Sequence, residues 1–227
     1  MAKVRTRFPR IFVGHPFKQR FPVDTFRAFF KELPFSVIYG NTDIETKHLL
    51  AVMKGNLNKI DYAIFDLSYW NPNVALELGL CEGLRKKPGK DYYILLNTNR
   101  AKDVPSDIRG IQRLEYTKYN YSLSGGLGEQ LVLLLKKEYW PKKIYSELKR
   151  GESDAKLLPR SFIVALKIIA HLRDFDRITY DNLRKICKGT HLRQHTRDEV
   201  LQALKKLKLI RKERGRDVYI KQGKKLF

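Results

Sequence analysis

The stretch Asp61-Tyr62-Ala63-Ile64-Phe65-Asp66-Leu67-Ser68-Tyr69-Trp70-Asn71-Pro72-Asn73-Val74-Ala75-Leu76-Glu77-Leu78-Gly79 decides the fold. Residues 62–67 are apolar almost throughout, without the polar alternation of a half-solvated strand, so they predict a strand covered on both faces. Asn71 or Asn73 can cap the helix that follows, and Pro72 suits its first turn. A buried strand running straight into a helix is the repeating unit of a parallel sheet.

The same alternation extends outward in both directions. Strand-like runs lie at 11–13, 35–39, 92–96 and 111–116, and helix-patterned stretches at 23–33, 45–57, 74–84 and 128–139. The class expected is α/β, a doubly wound, parallel, five-stranded sheet like that of flavodoxin. Ligands of such sheets sit beyond the carboxyl ends of the strands. That rule picks out Gly14-His15-Pro16-Phe17 after the first strand, Asp66 and Ser68 after the third, and Glu77 on the next helix.

Charge sets the choice of partner. The 227 residues carry 46 Lys and Arg against 24 Asp and Glu, a net +22, which calls for an anionic partner, whether nucleic acid, nucleotide or acidic lipid. With 43% hydrophobic and 11% aromatic residues the chain can fill ordinary cores, which excludes a wholly disordered basic tail. Cys81 and Cys187 are too few for a disulfide scaffold or a thiolate metal cage, and a reducing, cytoplasmic setting is expected. The first residues lack the apolar stretch of a signal peptide. The longest purely apolar run, 131–135, falls far short of the ~20 residues needed to cross a bilayer, so no membrane partner is expected.

The excess is uneven. Residues 155–227 hold 20 Lys and Arg against 7 acids, a net +13, and the preceding 154 residues hold 26 against 17. Arg150-Gly151-Glu152-Ser153-Asp154 reads as a linker, giving domains at 1–154 and 155–227. Trp140-Pro141 is expected to end an apolar helix.

At the first strand end, one glycine permits close backbone approach, and Lys18 and Arg20 would suit a phosphate. The alternative is a turn whose basic residues are solvated. Glu77 stands one to one and a half turns into its helix, either facing the strand ends or complementing the helix dipole.

Ile11 to Phe17, and above all Asp61-x4-Asp66-Leu67-Ser68-x2-Asn71-Pro72-Asn73-Val74-x2-Glu77-Leu78-Gly79, resemble the nucleoside 2-deoxyribosyltransferase-like and TIR-like superfamily. Val104-Pro105-Ser106-Asp107-Ile108-Arg109-Gly110 resembles a stretch common in its bacterial members. The resemblance covers roughly residues 10–140. It implies that Glu77 attacks, or stabilises charge at, the anomeric carbon of a nucleoside. It also implies a substrate with an N-glycosidic bond, whether deoxynucleoside, deoxynucleotide or NAD. Where the deoxyribosyltransferase branch has an aspartate ahead of the third strand, this chain has Met53.

Cleaving such a bond builds oxocarbenium character on the sugar, which a nearby carboxylate stabilises. A purine or pyrimidine must be protonated as it leaves, whereas the nicotinamide of NAD is already cationic and leaves neutral. One carboxylate with no evident acid partner fits NAD better, as substrate rather than cofactor, and no metal is expected. His15 could be the missing acid or a packing residue. Asp66 could orient a ribose hydroxyl or cap backbone amides, Ser68, Asn71 and Asn73 border the same cleft, and Arg109 could pair a phosphate or be solvated. Tyr69 and Trp70 could stack a base or belong to the core.

Residues 160–227 resemble a winged helix-turn-helix: helices from Ser161, Asp181 and Thr196 or Asp198, then a hairpin around Arg214-Gly215-Arg216. The third helix would present His191, Arg193, Gln194, His195 and Arg197 to a groove, and Arg214 and Arg216 would reach phosphate or the minor groove of DNA or RNA. Winged helices also serve as protein-interaction modules. Superfamily domains joined to a winged helix resemble bacterial anti-phage effectors, including those restrained by a retron's reverse transcriptase and its RNA–DNA product. The expectation is therefore an N-glycosidic hydrolase in antiviral defence, with a homo-oligomeric or regulatory partner complex. A non-enzymatic nucleotide-sensing DNA-binding regulator and a self-associating assembly module are the alternatives.

Overall fold

The computed structural model describes residues 10–16, 20–40, 49–84, 91–103, 105, 113–118, 126–135, 139–151, 157–188, 194–214 and 218–221. They form two compact units, one holding Pro9–Phe30 with Phe35–Gln130, the other Lys31–Pro34 with Leu131–Phe227.

The first unit is an α/β layer structure. Strands β1 (Arg10–Gly14), β2 (Ser36–Tyr39), β3 (Tyr62–Asp66), β4 (Asp91–Asn97) and β5 (Leu114–Tyr116) form one sheet in the order β2-β1-β3-β4-β5. Every neighbouring pair is parallel. All five residues of β3 are buried, as its unbroken apolar run requires. Asp61 at its start accepts the Arg10 amide at 2.8 Å, locking the β1–β3 register at the end of the sheet away from the cleft. The order reverses between β1 and β3, which makes their carboxyl ends the switch point.

Helix α1 (Arg20–Lys31) ends at the 30/31 boundary of the unit, α2 (Leu49–Lys59) and α3 (Pro72–Leu84) pack on the sheet, and α4 (Leu127–Leu135) crosses the boundary at 130/131. Helix α1 begins at Arg20, ahead of the expected 23, because Pro22 falls in its first turn, where a missing N–H costs nothing. Its buried Phe26, Phe29, Phe30 and the following Leu33 recur at helical spacing. In α3 the buried positions are Val74, Glu77, Leu78 and Cys81, the same i, i+3, i+4, i+7 stripe with a carboxylate inside it. Met53 is a core residue of α2.

The second unit contains α5 (Tyr139–Gly151), α6 (Leu158–Asp174), α7 (Tyr180–Lys188) and α8 (Gln194–Lys206). Strands β6 (Arg177–Thr179), β7 (Ile210–Lys212) and β8 (Val218–Lys221) pair antiparallel in the order β6-β8-β7. Helix α6 is buried all round from Ser161 to Ala170, so it is the hub, packed by α5, α7 and α8. Trp140-Pro141 opens α5 instead of ending a helix, since proline is accommodated in a first turn. Its Ile144 and Leu148 are buried, and Tyr145 meets Phe162 edge-on at 5.4 Å. The compact units therefore part at 130/131, earlier in the chain than residue 154. No helix among the described residues is long and apolar enough to cross a membrane.

Candidate functional site

Glu77 reaches its position through ordinary helix physics. Asn71 is the N-cap of α3: its Oδ1 accepts the Asn73 amide at 2.9 Å, and its carbonyl accepts the Ala75 amide at 3.0 Å. Pro72 follows as the first helical residue. With the helix start fixed there, Glu77 lies on the buried stripe and its side chain is directed at the carboxyl ends of β1 and β2. A methyl group added to Gly14 would lie 2.5 Å from Glu77 Oε2, and one added to Gly40 would collide with Oε1. Two glycines at adjacent strand ends thus form the bed of the carboxyl group.

Glu77 is only 4% exposed, and its Oε2 has no hydrogen-bond partner among the described residues. Burial pushes its pKa up from 4.5 to about 8. A buried polar atom left without a partner costs about 1–3 kcal/mol, so this oxygen is poised for a ligand group that would satisfy it.

His15, next along β1, is also buried, between Phe26 and Tyr39 at ring separations of 6.4 and 6.1 Å. Its Nδ1 makes a long 3.4 Å contact to the Pro16 carbonyl, which suits the tautomer protonated at Nδ1. Among the described residues Nε2 has no partner either. Burial pushes the imidazole pKa down, against the Pro16 contact that raises it, and the Arg27 charge lowers it further. Burial thus favours the neutral form of the His15 imidazole. Beside it, burial pushes Tyr39 up to about 12, and the Arg27 guanidinium lies 5.4 Å from its ring centre.

Asp66 and Ser68 are arranged differently. Asp66 is fully buried; its Oδ1 accepts the Ser68 amide at 3.0 Å and the Ser68 hydroxyl, and its Oδ2 accepts the Tyr116 hydroxyl at 2.6 Å. Ser68 Oγ in turn accepts the Asn97 amide at 2.7 Å. Burial raises the Asp66 pKa against these hydrogen bonds. The network ties together the ends of β3, β4 and β5 and holds Asp66 and Ser68 at the carboxyl edge of the sheet. Asn71 acts as a cap, Asn73 is exposed in the first turn, and Pro16 is buried behind Gly14.

Trp70 has a positive φ of 38° at the turn into α3, a strained backbone of the kind that clusters at functional sites. Its ring packs on the core that includes Phe65 and Leu78. Arg100, just past β4, lies 5.4 Å from the Tyr69 ring centre.

In the second unit Arg214 is exposed past β7, at the hairpin. Arg197 departs from the expectation of a groove-reading side chain. It is buried, its Nη2 is 3.3 Å from Asp198 Oδ1, and its guanidinium lies 4.8 Å from the Tyr180 ring centre. Gln194 heads α8, and its side chain lies outside the description. Phe17, Arg109, Arg193 and Arg216 lie outside the described residues.

The residues that sequence reasoning missed are Gly40, Tyr39, Asn97 and Tyr116. A glycine directly after a predicted strand was the available sign for Gly40; a hydroxyl 50 positions from Asp66 gave none. No protein-family model matches the chain, and no curated protein matches it.

Proposed function

We propose that the first unit is an N-glycosidic bond hydrolase acting on NAD or a related (deoxy)nucleotide, with Glu77 as its catalytic carboxylate. The second unit is, on this reading, a winged helix that binds DNA or RNA, and the whole a cytoplasmic effector of prokaryotic antiviral defence. The resemblance to the deoxyribosyltransferase-like and TIR-like superfamily supports it, as does the net +22. The observation that carries it is the Glu77 carboxyl group: buried, with Oε2 unpartnered among the described residues, and bedded against Gly14 and Gly40 at the end of the sheet where ligands of this architecture bind.

The chemistry is balanced without a metal or a redox partner. Water bonds to the anomeric carbon as the carbon–nitrogen bond breaks. The bonding pair returns to the nicotinamide ring nitrogen and discharges it, and the proton of the attacking water passes to solvent. Ionised Glu77 stabilises the developing oxocarbenium charge. His15 Nε2 is an acceptor for a sugar hydroxyl or for the attacking water.

Two features favour NAD over a deoxynucleotide. Neutral His15 supplies no proton to a leaving base, and nicotinamide needs none. A cationic substrate beside Glu77 also favours ionisation of a carboxyl group that burial otherwise keeps protonated. Release of free nicotinamide from NAD by the full chain, compared with base release from deoxynucleotides, tests the proposal. A rate unchanged in Glu77→Gln would refute it. Nucleotide binding without turnover would leave the regulator reading in its place.

A further inference from the structure

The second unit holds a hollow of about 350 Å³ at the end of α6, and its chemistry differs from that of the Glu77 site. Its walls include Lys31, His171, Phe175 and Lys185. Lys31 belongs to this unit through the segment Lys31–Pro34. The volume is at the lower end of the roughly 300–1,000 Å³ of small-ligand sites, room for one compact ligand.

Phe175 is 60% exposed. It is held there by two contacts. Its amide donates to the His171 carbonyl at 2.9 Å, closing the end of α6, and one ring face lies on the His171 imidazole at 4.8 Å, 30° from parallel. The exposed remainder of the ring is a fixed flat surface.

The charges around it do not cancel. The two carboxylates of the hollow are already matched, Glu32 by Lys167 and Asp174 by Arg173, whose Nε and Nη2 lie 2.6 and 2.9 Å from its two oxygens. Lys31 and Lys185 are exposed and carry no carboxylate partner among the described residues. An aromatic platform flanked by uncompensated ammonium groups is the combination that binds a base by stacking and its phosphate by charge.

We propose that this hollow binds one nucleotide unit, with its base stacked on Phe175 and its phosphate held by Lys185 and Lys31. The unit is either a free mononucleotide or one nucleotide of a single strand; both present the same base and phosphate. The site is distinct from the third helix and hairpin, and it stands whatever the fate of the reading given to Glu77.

The test is equilibrium binding of AMP and of a short oligothymidylate to the full chain, together with ultraviolet cross-linking of the oligothymidylate mapped by mass spectrometry. The expected result is binding that Phe175→Ala weakens roughly 5- to 100-fold, the range for removing a base stack, with a cross-link at Phe175. Lys185→Glu, on the surface of α7, weakens it about tenfold, with a smaller effect at high salt. AMP and oligothymidylate that compete assign a free nucleotide as sufficient; binding of the oligothymidylate alone assigns a strand. Absence of binding by both probes overturns the proposal. So does binding that Arg214→Ala weakens while Phe175→Ala and Lys185→Glu leave it unchanged.

Discussion

Gly40 and Glu77 are complementary in the strict steric sense: the three nearest atoms to a methyl group placed on Gly40 all belong to the Glu77 carboxyl group. The end of β2 is thus shaped around an acid carried by a helix that begins after β3. Gly40→Ala should destabilise the fold by about 1–3 kcal/mol, as overpacking does. Adding Glu77→Ala should recover most of that loss in thermal melts, a coupling of at least about 1 kcal/mol. Gly14→Ala should not be rescued in the same way, because its methyl group would also lie 2.7 Å from the Phe65 ring.

The catalytic proposal predicts a pH profile. With the free protein's Glu77 titrating at about 8, kcat/KM for nicotinamide release should climb about tenfold per pH unit below that value and level off above it. The kcat profile should bend at lower pH, since the bound cation favours the ionised acid. Glu77→Gln should cost at least about 100-fold in kcat.

Stability should carry the opposite signature. An unfolded chain loses this proton near 4.5, and the native one holds it to about 8. Between these values the native state binds more protons, so stability falls as pH rises through the window and is flat above it. Denaturant titrations should show Glu77→Gln close to wild type at pH 4 and more stable at pH 8. The gap is on the order of 4 kcal/mol at pH 8, from about 1.36 kcal/mol per pKa unit.

Tyr116→Phe tests the network at the carboxyl ends of β3, β4 and β5. Losing a buried donor to Asp66 should lower stability by about 1–3 kcal/mol and leave KM unchanged. A raised KM with an unaltered melting temperature would assign Asp66 to the ligand instead.

In the second unit, Arg214→Ala with Arg216→Ala should weaken nucleic-acid binding and reduce the slope of log affinity against log salt by about one for each phosphate no longer neutralised. Arg197→Ala should leave that slope alone and lower the melting temperature, because Arg197 is occupied by Asp198 and Tyr180.

The strands of the first unit were legible from their apolar runs, most clearly β3, which is buried throughout, and the place of Glu77 on its helix was legible because Asn71-Pro72 sets the phase of that helix. What was hidden depends on tertiary meetings. Tyr116 reaches Asp66 across two strands, and Arg197 turns back onto Tyr180 from an earlier helix. Pro141 illustrates a different ambiguity, since the same residue type ends one helix and begins another; only the buried Ile144 and Leu148 beyond it decide between them.

Strand β2 lies at the border of the sheet, is four residues long, and among the described residues is bonded on one side, to β1. One wall of the acid's enclosure is therefore built from an edge strand, held by a 3.2 Å bond from the Gly40 amide to the Val13 carbonyl. Each time that border peels back, water reaches Glu77 and its proton is free to leave. Hydrogen exchange at Gly40 and proton release from Glu77 thus become two clocks reading the same motion.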